Sequence, residues 1–306
     1  MKNRLLRRAR LATRIREFMA ANGVLEVVTP VLSAAAVTDP QIESFASQSP
    51  WGTRYLRTSP EFAHKRLLSQ GAPDLFEMGP VFRQAECGNR HNPEFTLLEW
   101  YRLGYSMQQL IDEVIELLRR VDCVSEQAPV EQLRYFDAFE RVLGFSVTSL
   151  STQELSDVAR QVDGPVGELD RDQWLDFLFA TRVQPTLTDR TVVITHYPAS
   201  QAALAKLDAM APDTALRFEV FVRGLELANG FEELTCAVEQ RARFDNDNAL
   251  RVKRGQSALP IDERFLTSLD TLPPCAGVAL GIDRLLMLLD DCTTIDEVLT
   301  FGWHHI

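Results

Sequence analysis

Cysteine is scarce in this chain and never arranged for chemistry. Five occur in 306 residues, at Cys87, Cys123, Cys236, Cys275 and Cys292, an odd and scattered set with no C-x-x-C pair. That argues against a disulfide framework and a cysteine-held zinc site and fits a reducing cytoplasm. No apolar run approaches the ~20 residues that a membrane span needs, so no membrane attachment is expected. Positive charge is in deficit: 32 Lys and Arg against 43 Asp and Glu give a formal net charge of −11. Broad contact with a polyanion is therefore disfavoured, because binding to phosphate backbones depends on neutralisation by Lys and Arg. Internal repeats, low-complexity tracts and obvious linkers are missing too.

What is present is an ordinary globular composition, 45% hydrophobic and 25% charged, in a chain long enough for one large domain or two small ones. The one basic patch is Arg4, Arg7, Arg8, Arg10, Arg14 and Arg16. It reads as a solvated helix face or as a docking surface for an acidic partner. Its helical apolar spacing runs on into Ile15, Phe18 and Met19, which argues against a transit peptide.

An amphipathic helix from about Leu5 is predicted to stop at Asn22-Gly23, followed by a strand from Val24 to Thr29 that Pro30 ends. Residues 31–60 are turn-rich, and Ser59 is a plausible N-cap for a helix from Pro60 to about Gln70. Asp74 to Tyr101 has the pattern strand, polar loop, strand. Ser106 caps a helix through about Arg120 with Leu110, Ile111, Val114, Leu117 and Leu118 as its buried stripe. Residues 125–190 hold three or four helices, one capped near Ser151 and one around Trp174 to Thr181, and read as a helical insertion. Strand signals return at Thr191 to Thr195, Arg217 to Ala228 and Gly277 to Gly281, before a closing helix near Asp283. Mixed runs of this kind predict an α+β fold, a mainly antiparallel sheet flanked by helices, as one domain over 1–306.

Three segments carry chemistry. In Phe82 to Tyr101, strand alternation over 94–101 puts Phe95, Leu97, Glu99 and Tyr101 on one face, while Arg83 and Arg90 bracket the polar loop as planar donors suited to a polyphosphate. A surface hairpin with salt bridges is the plainer alternative. In Arg217 to Glu233, Arg223-Gly224 suits a two-residue hairpin turn that sets Glu226 across from Phe221 and makes Glu219 a diagonal neighbour. Two converging carboxylates suit Mg²⁺ shared with phosphates, unless each glutamate simply pairs with an arginine. In Gly277 to Leu286, a strand running into a helix places Arg284 in the first helical turn, where backbone donors and the helix dipole favour anions.

Together these segments resemble motifs 2 and 3 and the metal-binding strand pair of the class II aminoacyl-tRNA synthetases. Motif 2 falls at about 76–101, motif 3 at about 277–289, and Arg14 through Pro30 looks like motif 1. The HNPEFT-x-x-E-x-Y run and the ELANGFEEL segment are similar to the lysyl-tRNA synthetase subgroup. The resemblance implies that ATP and Mg²⁺ are used. Arg83 would hold the α-phosphate and the substrate carboxylate, and Phe95 and Arg284 would sandwich the adenine, which makes Arg83 and Arg284 the catalytic pair. Arg284, Arg90 and His91 would serve the outer phosphates, and Asn92, Glu226, Leu227 and Gly281 would line the nucleotide. Glu219 and Glu226 would hold Mg²⁺. Ser59, Pro60, Glu61, Glu99, Tyr101, Asn229 and Glu233 would form the amino-acid pocket, whose carboxylates suit a lysine-like cation. Motif 1 implies a two-fold homodimer.

Departures from the synthetase pattern refine this. The resemblance begins almost at the first residue, which leaves no room for the synthetase's anticodon-binding barrel, and with the acidic charge this makes tRNA an unfavoured partner. Ala279 stands where the synthetase has glycine, and its methyl re-aims whatever occupies the pocket. With the segment from Tyr197 to Ala205, this resembles the paralog family that ligates (R)-β-lysine to a lysine of elongation factor P. A minimal tRNA-charging enzyme and a non-catalytic regulatory paralog remain the alternatives. The family's motif 2 has Glu two places after its arginine to accept the adenine amino group; here Gln84 is followed by Ala85 at that place, and Glu86 comes next.

Overall fold

The structure is a computed structural model and describes residues 2–162, 164 and 167–305. Two compact units are present, one built from the residues up to Ser125 and from Glu232 on, the other from Glu126–Phe231.

The first unit begins with helix α1 (Lys2–Ala21) and strand β1 (Leu25–Glu26). Gly23, at φ 71, takes the left-handed conformation that ends the helix after Asn22. The strand is shorter than the predicted Val24 to Thr29, because only Leu25 and Glu26 find partners, on Leu75 and Phe76. Residues 31–60 are more ordered than their composition suggests. Strands β2 (Leu32–Ser33), β3 (Ala46–Ser49) and β4 (Gly52–Leu56) form a small antiparallel sheet whose half-exposed polar residues gave no alternating signal.

Helix α2 (Glu61–Ser69) follows, with Pro60 at the N-cap position and no side-chain cap there. The predicted cap, Ser59, accepts the Glu61 N–H but also turns its hydroxyl elsewhere, as described below. Strands β5 (Leu75–Phe82) and β6 (Glu94–Leu103) pair antiparallel across the motif 2 loop. Helix α3 (Met107–Arg120) starts in a capping box of Ser106 and Gln109 and buries its leucine, isoleucine and valine stripe completely.

The second unit runs through β7 (Val130–Arg134), α4 (Tyr135–Leu143), α5 (Thr152–Arg160), α6 (Arg171–Leu178), β8 (Thr191–Pro198), β9 (Leu207–Asp208), β10 (Ala211–Val222) and β11 (Leu225–Glu232). The helices of the insertion fold together with these strands. Tyr135, Phe139, Trp174, Phe179, Tyr197 and Phe221 form one buried cluster, with Tyr135 and Phe179 stacked at 5.4 Å between ring centroids. Each such ring contributes about 3 kcal/mol of burial. The order β11-β10-β8-β7 is antiparallel except for the parallel β7–β8 pair, and β9 pairs with β10. Arg223 (φ 50) and Gly224 (φ 74) form the two-residue turn between β10 and β11, both in the left-handed region that such a turn demands.

The chain then completes the first unit with α7 (Ala237–Lys253), α8 (Glu263–Leu269), β12 (Cys275–Gly281) and α9 (Ile282–Leu289). Helix α7 buries only Gln240, Phe244 and Arg251, so it shows no apolar stripe in the sequence. The order β1-β5-β6-β12 is antiparallel apart from the β1–β5 pair. Gly277 lies opposite Tyr101, Ala279 opposite Glu99 and Gly281 opposite Leu97. The fold is α+β.

The N-terminal arginines are engaged within this unit. Arg8 pairs with the buried Asp283, which also accepts the Thr96 N–H at 2.7 Å, so one carboxylate ties α1, β6 and α9 together. Arg7 pairs with Asp290, Arg14 with Asp122 at 2.7 Å and Arg16 with Glu26 at 2.9 Å, while Arg4 donates to the Leu299 carbonyl at 2.6 Å. The patch read from the sequence as a solvated face or a docking surface is solvated at Arg7, Arg10 and Arg16, and most of its arginines also have partners within the unit.

Candidate active site

The motif 2 loop leaves β5 at Phe82 and enters β6 at Glu94. Its base is closed by Arg83 N–H to the Pro93 carbonyl at 2.9 Å, and its tip by reciprocal hydrogen bonds between Gly88 and His91, which hold Arg90 out on the turn. The Arg83 guanidinium lies over the Phe95 ring, 5.1 Å from its centroid, and pairs with Glu86 at 2.9 Å. Ala85 and Gln84 are exposed, so Glu86 is the carboxylate on the arginine side of this loop. Arg284, in the first turn of α9, reaches the Arg90 carbonyl at 3.4 Å and His91 Nε2 at 2.5 Å. The structure thus groups Arg83, Glu86 and Phe95, and separately Arg284, Arg90 and His91. Asn92 is buried with its side chain committed to scaffold: it donates to the Glu94 carbonyl and accepts the Trp303 N–H at 3.0 Å.

Below the loop, β6 and β12 carry an inward face of ionisable groups. Tyr101 Oη donates to Glu99 Oε1 at 2.9 Å and Ser59 Oγ donates to Glu99 Oε2 at 2.6 Å. Burial, and then the charge of Glu61, push the Glu99 carboxyl above its ordinary range. Gly277 is required beneath Tyr101, since a Cβ there would come within 2.3 Å of the ring and 2.5 Å of Glu233 Oε1. Two residues along, Ala279 does carry a methyl, opposite Glu99. Gly281 closes the same face beside the Arg284 side chain.

Sequence reading missed what balances these carboxylates. Lys65 is completely buried on α2 and bridges Glu61 at 2.7 Å and Glu233 at 2.5 Å. Burial alone would strip its proton, yet the charges of Glu233 and Glu61 outweigh that and hold the ammonium above its ordinary value. Glu233 is pushed up to about 8 by burial, with Glu61 and Glu99 adding to it against the pull of Lys65. His64, also fully buried, lies between Glu77 Oε2 at 3.2 Å and Glu99 Oε1 at 3.8 Å. Glu77 in turn receives Arg57 at 2.7 Å and the Thr29 hydroxyl at 2.6 Å. The i,i+4 spacing of Glu61 and Lys65 was the available sequence signal. A cavity of about 550 Å³ opens beside Ser59, Pro60 and Glu61, walled further by the Ser33–Val37 stretch, Arg54, Arg66 and Arg264.

In the second unit, Phe221 faces Glu226 as expected, but Val220 pairs with Ala228, so Leu227 is an extra residue in β11. Glu219 is thereby set opposite Asn229. Burial and the neighbouring charge of Glu226 push the Glu219 carboxyl up to about 7, although Arg217 pairs with it at 2.5 Å. Glu219 therefore has the arginine partner that the plainer sequence reading expected, and the charge of Glu226 acts on it as well. Asn229 Nδ2 points to Glu219 at 3.4 Å, and its buried Oδ1 has no hydrogen-bond partner. Two repelling carboxylates and an orphaned amide oxygen are of the oxygen type that a hard cation accepts as ligands. Among the described residues, no three His, Cys, Asp or Glu side chains gather into a complete metal site.

Residues 1–304 match the family model of the class II tRNA synthetases (D, K and N). The elongation factor P–(R)-β-lysine ligase of Haemophilus influenzae is 44% identical to this chain, over 97% of it and 94% of its own length. The proteins of that name from Mannheimia succiniciproducens and Proteus mirabilis are 45% and 44% identical over the same shares. The chain belongs to the class II tRNA synthetase family of the D, K and N type, and within it to the elongation factor P–(R)-β-lysine ligases.

Proposed function

We propose that this ligase uses ATP to activate (R)-β-lysine, or lysine, as an adenylate and transfers the lysyl group to the ε-amine of a lysine on elongation factor P in the cytoplasm. The observation that carries the substrate reading is the cluster of half-buried Glu61 with buried Glu99 and Glu233, in which Lys65 pairs with Glu61 and Glu233 only, with the Ala279 methyl opposite Glu99. Such a pocket favours a substrate with two ammonium groups, and an amino acid with a neutral side chain supplies only one.

The substrate carboxylate attacks the α-phosphorus, a carboxyl–phosphate bond forms and pyrophosphate leaves. No protein nucleophile is needed. Arg83, which lies over the Phe95 ring and pairs with Glu86, would hold the α-phosphate by exchanging Glu86 for the nucleotide. Arg284, with Arg90 and His91, forms a second cationic group for the outer phosphates. Glu219 and Glu226, with Asn229 Oδ1, would hold Mg²⁺, which when bound supplies positive charge to phosphate oxygens. In the second step the deprotonated acceptor amine attacks the adenylate carbonyl, an amide forms and AMP leaves.

A two-fold homodimer through α1 and β1 is part of this reading. Its support is apolar side chains left in solvent there, Leu5, Leu6 and Leu25, and Val28 at 91% exposure.

Mass spectrometry after incubation with ATP, Mg²⁺ and either lysine isomer, with elongation factor P and tRNA offered as competing acceptors, tests the function. Gain of one lysyl mass on the protein, faster from the β isomer, is expected. Charging of tRNA alone would overturn the proposal.

A further inference from the structure

We propose that Arg217 is a positioning residue that selects the cation: by holding one oxygen of Glu219 it leaves a single oxygen to coordinate, which suits Mg²⁺ over Ca²⁺. The inference rests on the reading of Glu219 and Glu226 as cation ligands.

The first observation is how Arg217 meets its partner. An arginine that only neutralises a carboxylate does so best fork to fork, two donors on two oxygens. Here Nη2 alone goes to Glu219, on Oε1 at 2.5 Å, while Nη1 donates to the Gln201 carbonyl at 2.8 Å and the buried Nε has no hydrogen-bond partner. The guanidinium is held in that split arrangement over the Tyr197 ring, 4.3 Å from its centroid, and Tyr197 packs in turn on Tyr135 at 4.8 Å. A bulge sets the arginine there: between the pairs Ala215–Tyr197 and Phe218–Thr195, Leu216 and Arg217 of β10 stand opposite His196 alone.

The second observation is what this leaves of Glu219. Asn229 Nδ2 also points to Oε1, at 3.4 Å, so donors from β10 and β11 converge on one oxygen. The same contact turns Asn229 Oδ1 to the side away from Oε1. Among the described residues no hydrogen bond reaches Oε2, and the Tyr197 hydroxyl, whose proximity acts on this carboxyl, stops short of hydrogen-bond geometry. Unlike Arg217 Nε, Tyr197 Oη and Asn229 Oδ1, which are unpartnered and sealed from solvent, Oε2 is open, and the Glu219 side chain keeps 12% of its surface exposed. A cation therefore meets one oxygen of Glu219. Mg²⁺ demands a near-ideal octahedral shell, into which one oxygen per carboxylate fits, whereas the larger and more flexible shell of Ca²⁺ takes a carboxylate through one oxygen or both. Tying Oε1 withholds the two-oxygen mode from Ca²⁺ and costs Mg²⁺ nothing.

Melting temperatures of the full chain with ATP present and the amino acid withheld, titrated with MgCl₂ or CaCl₂, give a half-saturating free concentration for each cation. The ratio of the two is the readout, compared among wild type, Arg217→Met and Arg217→Lys; the preference of ATP itself is the same in every variant and cancels. Loss of the guanidinium charge alone would strengthen both divalent cations by one factor and leave the ratio where it was. Loss of the tie on Oε1 opens both oxygens to Ca²⁺ only. The expected result is a ratio moved toward Ca²⁺ by about tenfold or more in Arg217→Met. Arg217→Lys, which keeps the charge without the planar fork, should move it by about threefold or more. An unchanged ratio in Arg217→Met overturns the proposal, and where that variant does not fold, an unchanged ratio in Arg217→Lys does so. A wild-type chain whose melting responds to neither cation overturns the metal reading and this inference with it, whereas wild-type saturation with unchanged ratios in the variants overturns this inference only.

Discussion

Ala279 stands directly across from Glu99 in the β6–β12 ladder, with Gly277 and Gly281 two residues to either side on the same face. The one methyl on that face therefore lies beside the carboxylate that an amine would seek. A methylene-sized change in a pocket is worth about 1–3 kcal/mol of discrimination. Ala279→Gly should shift the ratio of kcat/KM values from (R)-β-lysine toward α-lysine by about tenfold or more. Competition between the two isomers in the exchange assay reads this directly, and an unchanged ratio removes Ala279 from substrate choice.

Gly277 has no such freedom. Its Cβ would strike the Tyr101 ring, packed between strands, and Glu233, held by Lys65. Gly277→Ala should cost about 1–3 kcal/mol of stability by overpacking and raise the KM for the amino acid, as urea unfolding and the exchange assay will show.

Glu77 makes stability depend on acid. Burial would raise its carboxyl, but hydrogen bonds from His64, Thr29 and Arg57, with the Arg57 charge, bring it down to about 2 from 4.5. The folded chain thus binds this proton more weakly than the unfolded chain does. The stabilisation is fully present above about pH 4.5 and is lost as pH falls toward about 2, and it is on the order of 3 kcal/mol. Glu77→Gln should be less stable than wild type at neutral pH, with the gap narrowing in urea titrations carried from about pH 6 to pH 3. A gap that does not vary with pH would contradict this.

Arg83→Ala should lower adenylate formation by about two to three orders of magnitude, the loss typical of one group stabilising transition-state charge. Arg83→Lys should recover little, because an ammonium lacks the planar fork that stacks on Phe95. Near-normal pyrophosphate exchange in either variant would sink the assignment of Arg83.

Glu219→Gln and Glu226→Gln should each raise the Mg²⁺ concentration for half-maximal activity about tenfold or more. The double variant should be far from additive, since the two carboxylates act on one another. An unchanged Mg²⁺ dependence would reduce Glu219 to the partner of Arg217.

The elements that positioned these groups were legible where local rules decide. The Arg223-Gly224 turn, the Phe221–Glu226 pairing and the Ser106 cap follow from chain geometry over a few residues. The extra residue at Leu227 was not legible, because a bulge leaves the hydrophobic alternation nearly intact while moving Glu219 from Ala228 to Asn229. Lys65 and His64 escaped notice for a different reason. A buried lysine looks like a surface lysine until the carboxylates that neutralise it arrive from β6 and from the far end of the chain. For the N-terminal arginines the exposed face was legible, but the partners of Arg7 and Arg8, Asp290 and Asp283, lie almost the whole sequence away.

The pairing of Gly277 with Tyr101 closes a loop that contains the whole of the second unit. Loop closure costs entropy that grows with the length of free chain. The segment Glu126–Phe231 has its own aromatic core and can shorten that free chain by folding first. The β6–β12 ladder, which assembles the amino-acid pocket, is then the late and slow event. Refolding monitored by amide exchange should protect the strands of the second unit before Val278 and Leu280 acquire protection.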